Sequence, residues 1–220
     1  MPPHLHNHAR AIKIRFASIF AISFVIIFGL LNIRFVGANI RYFVAPGTII
    51  RDDSLAGIPT LFPLAEDISQ RPLPSNARLV IDRLGVDAPI VFDVPPKNDD
   101  IYSRLEDGVV HYNNSVKPGQ DGISIVLGHS SAYPWYRGQY GSVFALLGKL
   151  NPGERFYVRY GDGRTFVFEM KKSIVFNPFT DDARLAELEQ ANTPSLVLLS
   201  CWPVGTNYRR IATYAERVFE

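Results

Sequence analysis

Arg155-Phe156-Tyr157-Val158-Arg159-Tyr160, then Gly161-Asp162-Gly163, then the run from Thr165 to Ile174 that begins Thr165-Phe166-Val167-Phe168, reads as strand, tight turn and strand. Aromatic and β-branched residues fill both arms, and two glycines flank the point where the chain reverses. The same texture extends outward in both directions. Leu79-Val80-Ile81, Ala88 to Phe92, Ile123 to Leu127, Ser195 to Ser200 and Arg210 to Val218 are further short β-rich runs separated by turn signals. A series of this kind predicts an all-β barrel or sandwich that starts near Arg78.

Two helical pieces are expected between the strands. Val143 to Leu150 places Phe144, Leu147 and Leu150 on one face. Thr180 or Asp181 can cap a second helix through Leu185 and Leu188. This second helix lies in the connection from Phe176 to Pro194, which is too long for an idle hairpin. No internal repeat or low-complexity tract is present.

With 220 residues, 47% of them hydrophobic and 20% charged, the chain can bury one good-sized core, so one domain with appendages is expected. The net charge of +2 is unevenly placed, because residues 1 to 50 carry five Lys or Arg and no acid. The remainder holds 18 of the 23 basic residues against all 21 acidic ones. A mildly acidic folded part lacks the basic stripe that phosphate neutralisation requires, which argues against nucleic acid as a partner.

The basic excess brackets an apolar run. Phe16 to Ile33 contains no charge and sits between Arg15 and Arg34, at the lower limit for crossing a bilayer of about 30 Å. Arg10, Lys13, Arg15 and three histidines (His4, His6, His8) precede it, so the positive-inside rule puts the N-terminus in the cytoplasm. Val36-Gly37-Ala38 would be a tolerable cleavage site, but the run exceeds the usual signal-peptide core of about 7 to 15 residues. The expected organisation is a cytoplasmic tail over 1–14, one transmembrane helix over 15–37, an extracytoplasmic linker over 38–76 and a β-domain over 77–220. Five prolines between Asn39 and Asn76, at 46, 59, 63, 72 and 74, suit an extended stalk.

Cys201 is the single cysteine. In an exported domain it cannot form an internal disulfide, so it is either an inert buried thiol or a reactive one. It closes the apolar run Leu196-Val197-Leu198-Leu199-Ser200-Cys201, and Trp202-Pro203-Val204-Gly205 follows. Pro203 lacks the amide donor that a central strand would need, so the strand stops there. His129 holds the same kind of place, where Ile123-Ser124-Ile125-Val126-Leu127 gives way to Gly128-His129-Ser130-Ser131. Strand ends opening into loops are where a rigid scaffold presents reactive groups. The thiol and the imidazole can act as nucleophile and base if the fold brings the two ends together.

These segments resemble the sortase family. The stretch Cys201-Trp202-Pro203-Val204-Gly205-Thr206-Asn207-Tyr208-Arg209-Arg210 is similar to the family signature, in which a cysteine closes one strand and an arginine nine residues later opens the final one. Gly122-Ile123-Ser124-Ile125-Val126-Leu127-Gly128-His129 resembles the histidine strand. Phe144, Leu147 and Leu150 followed by Gly153-Glu154 resemble the helix and turn after it. Ile81 to Ile90 and Gly108-Val109-Val110-His111 are similar to the opening strands. The likeness spans roughly residues 77 to 219, in the family order His, Cys, Arg. In texture it is closest to the class D, E and F sortases of housekeeping or pilin type. Two departures bear on peptide preference: Ser200 stands where threonine is usual, and Trp202 is bulkier than the common residue.

The resemblance implies a closed β-barrel of about eight strands with short helices, and a cysteine transpeptidase that needs no cofactor; no metal is expected. Cys201, His129 and Arg210 would be catalytic, with Ser200, Trp202 and Ser130 as substrate-binding candidates. The implied substrate is a sorting signal like Leu-Pro-X-Thr-Gly on a surface protein, cut between Thr and Gly, with its acyl group passed to an amine of the cell wall or of a pilin lysine. The implied location is the bacterial cell membrane, by a single pass, with the catalytic domain outside. A nearby imidazolium lowers a thiol pKa from about 8.5, and a guanidinium presents several donors to an oxyanion or a peptide carbonyl. Ile211 after Arg210 selects it over Arg209. His111 is the rival base, with a structural role as its expectation. Tyr133, Trp135, Tyr136 and Tyr140 read as local packing more than as the lining of a peptide groove. Asp181, Asp182, Glu187 and Glu189 read as a solvated helix face rather than a calcium site. Rival readings are another wall-directed thiol peptidase, or a non-catalytic anchored β-domain for display or binding. An L,D-transpeptidase would carry histidine just before Gly-Cys, where Leu199-Ser200 stand here.

Overall fold

Among the described residues eight strands form: β1 (Ala77–Ile81), β2 (Val86–Val91), β3 (Val109–His111), β4 (Ile123–Leu127), β5 (Arg155–Tyr160), β6 (Thr165–Phe176), β7 (Ser195–Trp202) and β8 (Arg209–Val218). They close into a barrel in the order β1-β2-β3-β4-β7-β8-β6-β5, with β5 returning to β1. The computed structural model describes residues 18–27, 30, 37, 40, 44, 72–132, 136, 138–180 and 193–219. The chain divides into two units, Met1–Gly37 and Ala38–Glu220, and the barrel lies in the second.

In the first unit residues 18–27 are helical, with exposed apolar side chains from Ile19 to Ile27. No helix of the described residues is long and apolar enough to cross a membrane. The expected span from Phe16 to Ile33 falls partly outside the described residues, as does most of the linker. Of that linker, residues 72–76 pack on the barrel. Leu73 joins the core, Lys117 Nζ donates to the Leu73 carbonyl at 3.0 Å, and Arg164 Nη2 donates to the Pro72 carbonyl at 2.9 Å.

The hairpin of β5 and β6 forms as read: Tyr160 N–H donates to Arg164 O at 2.8 Å, and Gly163 takes a φ of +92° that suits glycine. Phe156, Val158, Tyr160 and Phe168 point inward to meet Leu79, Ile81, Val126, Leu196 and Leu198 in the main core. A second cluster covers the outer face, made by Phe176, Val197, Ala212 and Tyr214 with Ile123, Ile125, Ile174 and Leu199 against them. β7 is therefore packed on both faces, which explains why Leu196 to Leu199 is an unbroken apolar run rather than an alternating one.

Two pairings are parallel, β2 with β3 and β4 with β7. Parallel neighbours need a crossover, and in the first case it carries helix α1 (Asn98–Arg104). α1 has no buried residue, so it left no apolar period in the sequence; Asp99 and Asp100 in its first turn suit the helix dipole. The stretch Val143 to Leu150 buries Phe144, Leu147 and Leu150 as expected, but its winding differs. Its amides bond three residues back, Val143 to Tyr140, Ala145 to Ser142, Leu147 to Phe144 and Lys149 to Leu146. Only Leu147–Lys149 is regular, as a 3₁₀ turn; Gly148 in its middle disfavours an α-helix. The helix expected after Thr180 lies outside the described residues.

Candidate active site

β7 ends at Cys201-Trp202, and β8 starts at Arg209 after a turn. In the ladder between them Cys201 is opposite Arg210, and Trp202 is opposite Arg209. Residues directly opposed across an antiparallel pair share a face. Ser200 and its partner Ile211 point into the barrel, 4% and 3% exposed, so by alternation Cys201 and Arg210 point outward. Both are half-buried, whereas Arg209 is exposed. β6 extends this outer row, because Phe176 is opposite Arg210.

The parallel alignment of β4 with β7 brings the histidine to the same end. Leu127 is level with Leu199, and beyond the ladder Gly128 N–H donates to Leu199 O at 3.1 Å. Ser200 Oγ then donates to Gly128 O at 2.7 Å. Continuing this register sets His129 level with Cys201 and on the same face. Phe144 N–H donates to His129 O at 2.9 Å, and a side chain on Gly128 would run into the Phe144 ring. The backbone at His129 is thus fixed from both sides. Ser131 Oγ accepts from Gly205 N–H at 3.0 Å, which ties the histidine loop to the turn after Cys201.

The His129 ring lies edge-on to Tyr136, with centroids 5.4 Å apart, and 6.3 Å from the Tyr102 ring. Burial pushes the imidazole pKa down from its ordinary value, and the negative charge of Glu106 opposes this. The base form is therefore favoured at neutral pH. Arg210 turns Nη1 back onto the carbonyls of Asn207 at 3.0 Å and Arg209 at 3.1 Å, which orients the guanidinium at the mouth of the turn.

The other predicted site residues are placed differently. Ser200 is buried and its hydroxyl is engaged by Gly128. Ser130 is 2% exposed, and its hydroxyl has no hydrogen-bond partner among the described residues. Trp202 is half-buried against the core, with its ring over Gly148. Tyr133 and Trp135 lie outside the described residues, as do Asp181, Asp182, Glu187 and Glu189. Among the described residues no group of three or more His, Cys, Asp or Glu could hold a metal ion. A cavity of about 850 Å³, lined by Leu73, Gly119, Arg164, Phe166 and Arg217 among others, contains none of the candidate catalytic residues. Its Arg217 is near the far end of β8 from Arg210.

His111 sits elsewhere. It is 3% exposed, Nε2 meets Val116 O at 2.8 Å, and the ring packs on Phe92 at 5.2 Å. Burial is the largest cause of its lowered pKa. The folded state therefore prefers neutral His111, while the unfolded chain takes up a proton near pH 6.5. Stability contributed by this residue is present above about pH 6.5 and is lost as pH falls from there toward the folded value. Thermal melts at pH 7.5 and pH 5 are expected to show a loss that His111→Gln reduces, because glutamine can still donate to Val116 without titrating. An unchanged pH dependence in that variant would contradict this account.

Tyr102, Glu106 and Ser131 were not legible as site residues. Tyr102 and Glu106 belong to α1 and the turn after it, which the sequence did not reveal. Tyr136 read as local packing, and the surface it packs on includes the His129 ring.

Comparison with known proteins places this geometry. A family model described as Sortase domain matches residues 79–218. Sortase D of Bacillus subtilis (strain 168) is 30% identical over 119 residues, covering 52% of this chain and 52% of that protein. The chain thus matches about half the length of that relative. Among solved structures, sortase C-1 of Actinomyces oris superposes with a TM-score of 0.51 at 26% identity, covering 66% of this chain and 73% of that one. Sortase A of Corynebacterium diphtheriae gives 0.53 at 23% identity, covering 69% and 64%. Sortase C1 of GBS pilus island 1 gives 0.53 at 20% identity, covering 66% and 64%. The last two likenesses are of fold alone.

Proposed function

This chain belongs to the sortase family, and from that premise we propose that it is a cysteine transpeptidase acting on sorting-signal peptides like Leu-Pro-X-Thr-Gly. The observation that carries the reading is the row formed by Cys201 opposite Arg210, with the Gly128 to Ser200 bond holding the His129 loop alongside.

Cys201 Sγ attacks the carbonyl carbon of the threonine, and His129 takes the thiol proton as the C–S bond forms. The tetrahedral oxyanion is stabilised by the Arg210 guanidinium. When it collapses, the C–N bond breaks and His129 gives its proton to the leaving glycine amine. An incoming amine then attacks the thioester and passes a proton to His129, the C–S bond breaks, and the leaving thiolate takes that proton back from His129. The amine comes from a wall peptide or a pilin lysine. With its pKa pulled down by burial, His129 begins each cycle as the neutral base that can take a proton on attack. Of the substrate-binding candidates Ser200, Trp202 and Ser130, half-buried Trp202 has surface to offer the peptide, while the buried Ser200 acts from inside by tying Gly128 to β7.

The apolar run before the barrel anchors the enzyme in the cell membrane, with residues 1–14 inside and residue 38 onward outside. Protease shaving of intact cells is expected to remove the β-domain. Its removal only after permeabilisation would contradict this topology. The activity is tested by incubating the purified chain with a library of sorting-signal peptides and an amine acceptor. Coupled product is the expected result, and its absence across the library would refute the reading.

A further inference from the structure

His129 is the one proposed catalytic group whose ring is not held by its own strand, since β4 ends at Leu127. Its main chain is fixed at Gly128 and by the Phe144 amide, but the imidazole extends beyond the ladder. Among the described residues its ring partners are Tyr136 and Tyr102. Tyr136 is itself built in. Its hydroxyl donates to the Leu105 carbonyl at 2.9 Å, just past the end of α1. Its ring also lies on two glycines. A Cβ on Gly138 would stand 2.5 Å from the Tyr136 hydroxyl oxygen, and one on Gly141 would stand 2.8 Å from the ring. Neither position has room for a side chain while Tyr136 keeps its place. Tyr102, 53% exposed, covers the imidazole more loosely.

We infer that Tyr136 is a positioning residue for His129: anchored to Leu105 and bedded on Gly138 and Gly141, its ring holds the imidazole toward the Cys201 end of β7 and keeps water off it. The inference rests on the reading of His129 as the general base. An edge-to-face contact fixes orientation as well as distance, and a base displaced by about 1 Å can cost on the order of 100-fold in rate. The anchor also explains why α1, with no residue in the core, matters to the site: it carries Tyr102 and leads into Leu105, which receives the Tyr136 hydroxyl. Among the described residues, the titratable and charged groups facing the imidazole are Tyr102 and Glu106, from α1 and the turn after it, and Tyr136, with Cys201 at the end of β7 and Arg210 opposite it on β8 level with His129 by strand register. Glu106 raises the imidazole pKa, and burial lowers it by more.

The test is a ¹³C NMR titration of the histidine rings of the full chain, with His129 assigned through His129→Ala, alongside the pH profile of peptide transfer. Tyr136→Leu is expected to move the His129 midpoint up toward its ordinary value by about half a unit or more, with the acid limb of the rate profile following it. The same variant is expected to lower kcat about 10-fold with KM changed by less than about twofold. Tyr136→Phe, which keeps the ring, should restore most of kcat and leave the midpoint near that of the unmutated chain. Gly138→Ala retains Tyr136 but pushes on its hydroxyl end, and should shift the midpoint in the same direction by less. It serves if Tyr136→Leu fails to fold, as reported by the His111 signal. A purely structural Tyr136 would lower the melting temperature and leave the midpoint and the acid limb unmoved. That result, in a chain whose turnover still requires His129, overturns this inference alone. Full activity of His129→Ala would instead overturn the assignment of the base, and the inference with it.

Discussion

Cys201→Ala is expected to abolish both cleavage and acyl transfer, with kcat falling on the order of 10⁵-fold or more, as it does when a covalent nucleophile is removed. The fold should survive. Cys201 is half-buried on the outer face, and its inward neighbours Ser200 and Ile211 keep their places in the core. Loss of one sulfur there should change stability by less than about 1 kcal/mol. Circular dichroism and urea unfolding would show an intact barrel, while coupled peptide product disappears. Turnover by the alanine variant at near the unmutated rate would end the proposed mechanism.

The second large effect concerns the two adjacent arginines. Arg210 is opposite Cys201 and Arg209 is opposite Trp202, so the two side chains leave the strand on opposite faces. Only Arg210 shares the face of the thiol. Arg210→Ala is expected to lower kcat by about 100-fold or more, with peptide affinity changing less, because the donor acts mainly on the oxyanion. Arg210→Lys should fail nearly as badly. An ammonium keeps the charge but cannot bond the Asn207 and Arg209 carbonyls and still present a planar fork to the substrate. Arg209→Ala should remain largely active. Steady-state kinetics on the three variants decide the matter, and a dead Arg209→Ala beside a near-normal Arg210→Ala would reverse the assignment.

The barrel was legible where local chemistry settles local structure. Arg155 to Tyr160, the glycine turn and the strand from Thr165 carry the two-residue period of a half-buried hairpin, and they fold as one. Ile123 to Leu127 matched in both its bounds. Helical winding was less legible. Phe144, Leu147 and Leu150 have the spacing of an apolar face, and a chain of three-residue turns satisfies that spacing as well as an α-helix does. β3 has three residues, too few to show a period.

For the site, the sequence offered residue types at strand ends, a thiol at Cys201 and an imidazole at His129. Whether the two ends meet depends on β4 lying parallel beside β7, and a parallel pair is joined through a long crossover that no local signal encodes. The same limit hid Tyr102 and Glu106, which reach His129 only because the β2 to β3 connection folds back over the β4 end. Ser200 shows the converse. It stands beside the thiol in sequence, yet alternation turns it inward, where it ties Gly128 to β7.

Mass spectrometry of the acid-quenched enzyme can catch the thioester on Cys201 itself. The unmutated enzyme is mixed with a sorting-signal peptide without an amine acceptor, quenched in acid and digested. An acyl adduct with the mass of the peptide up to its threonine is expected, carried by the fragment containing Cys201 and released when an amine is added. Cleaved peptide with no adduct, or an adduct on any other residue, would contradict the proposed mechanism.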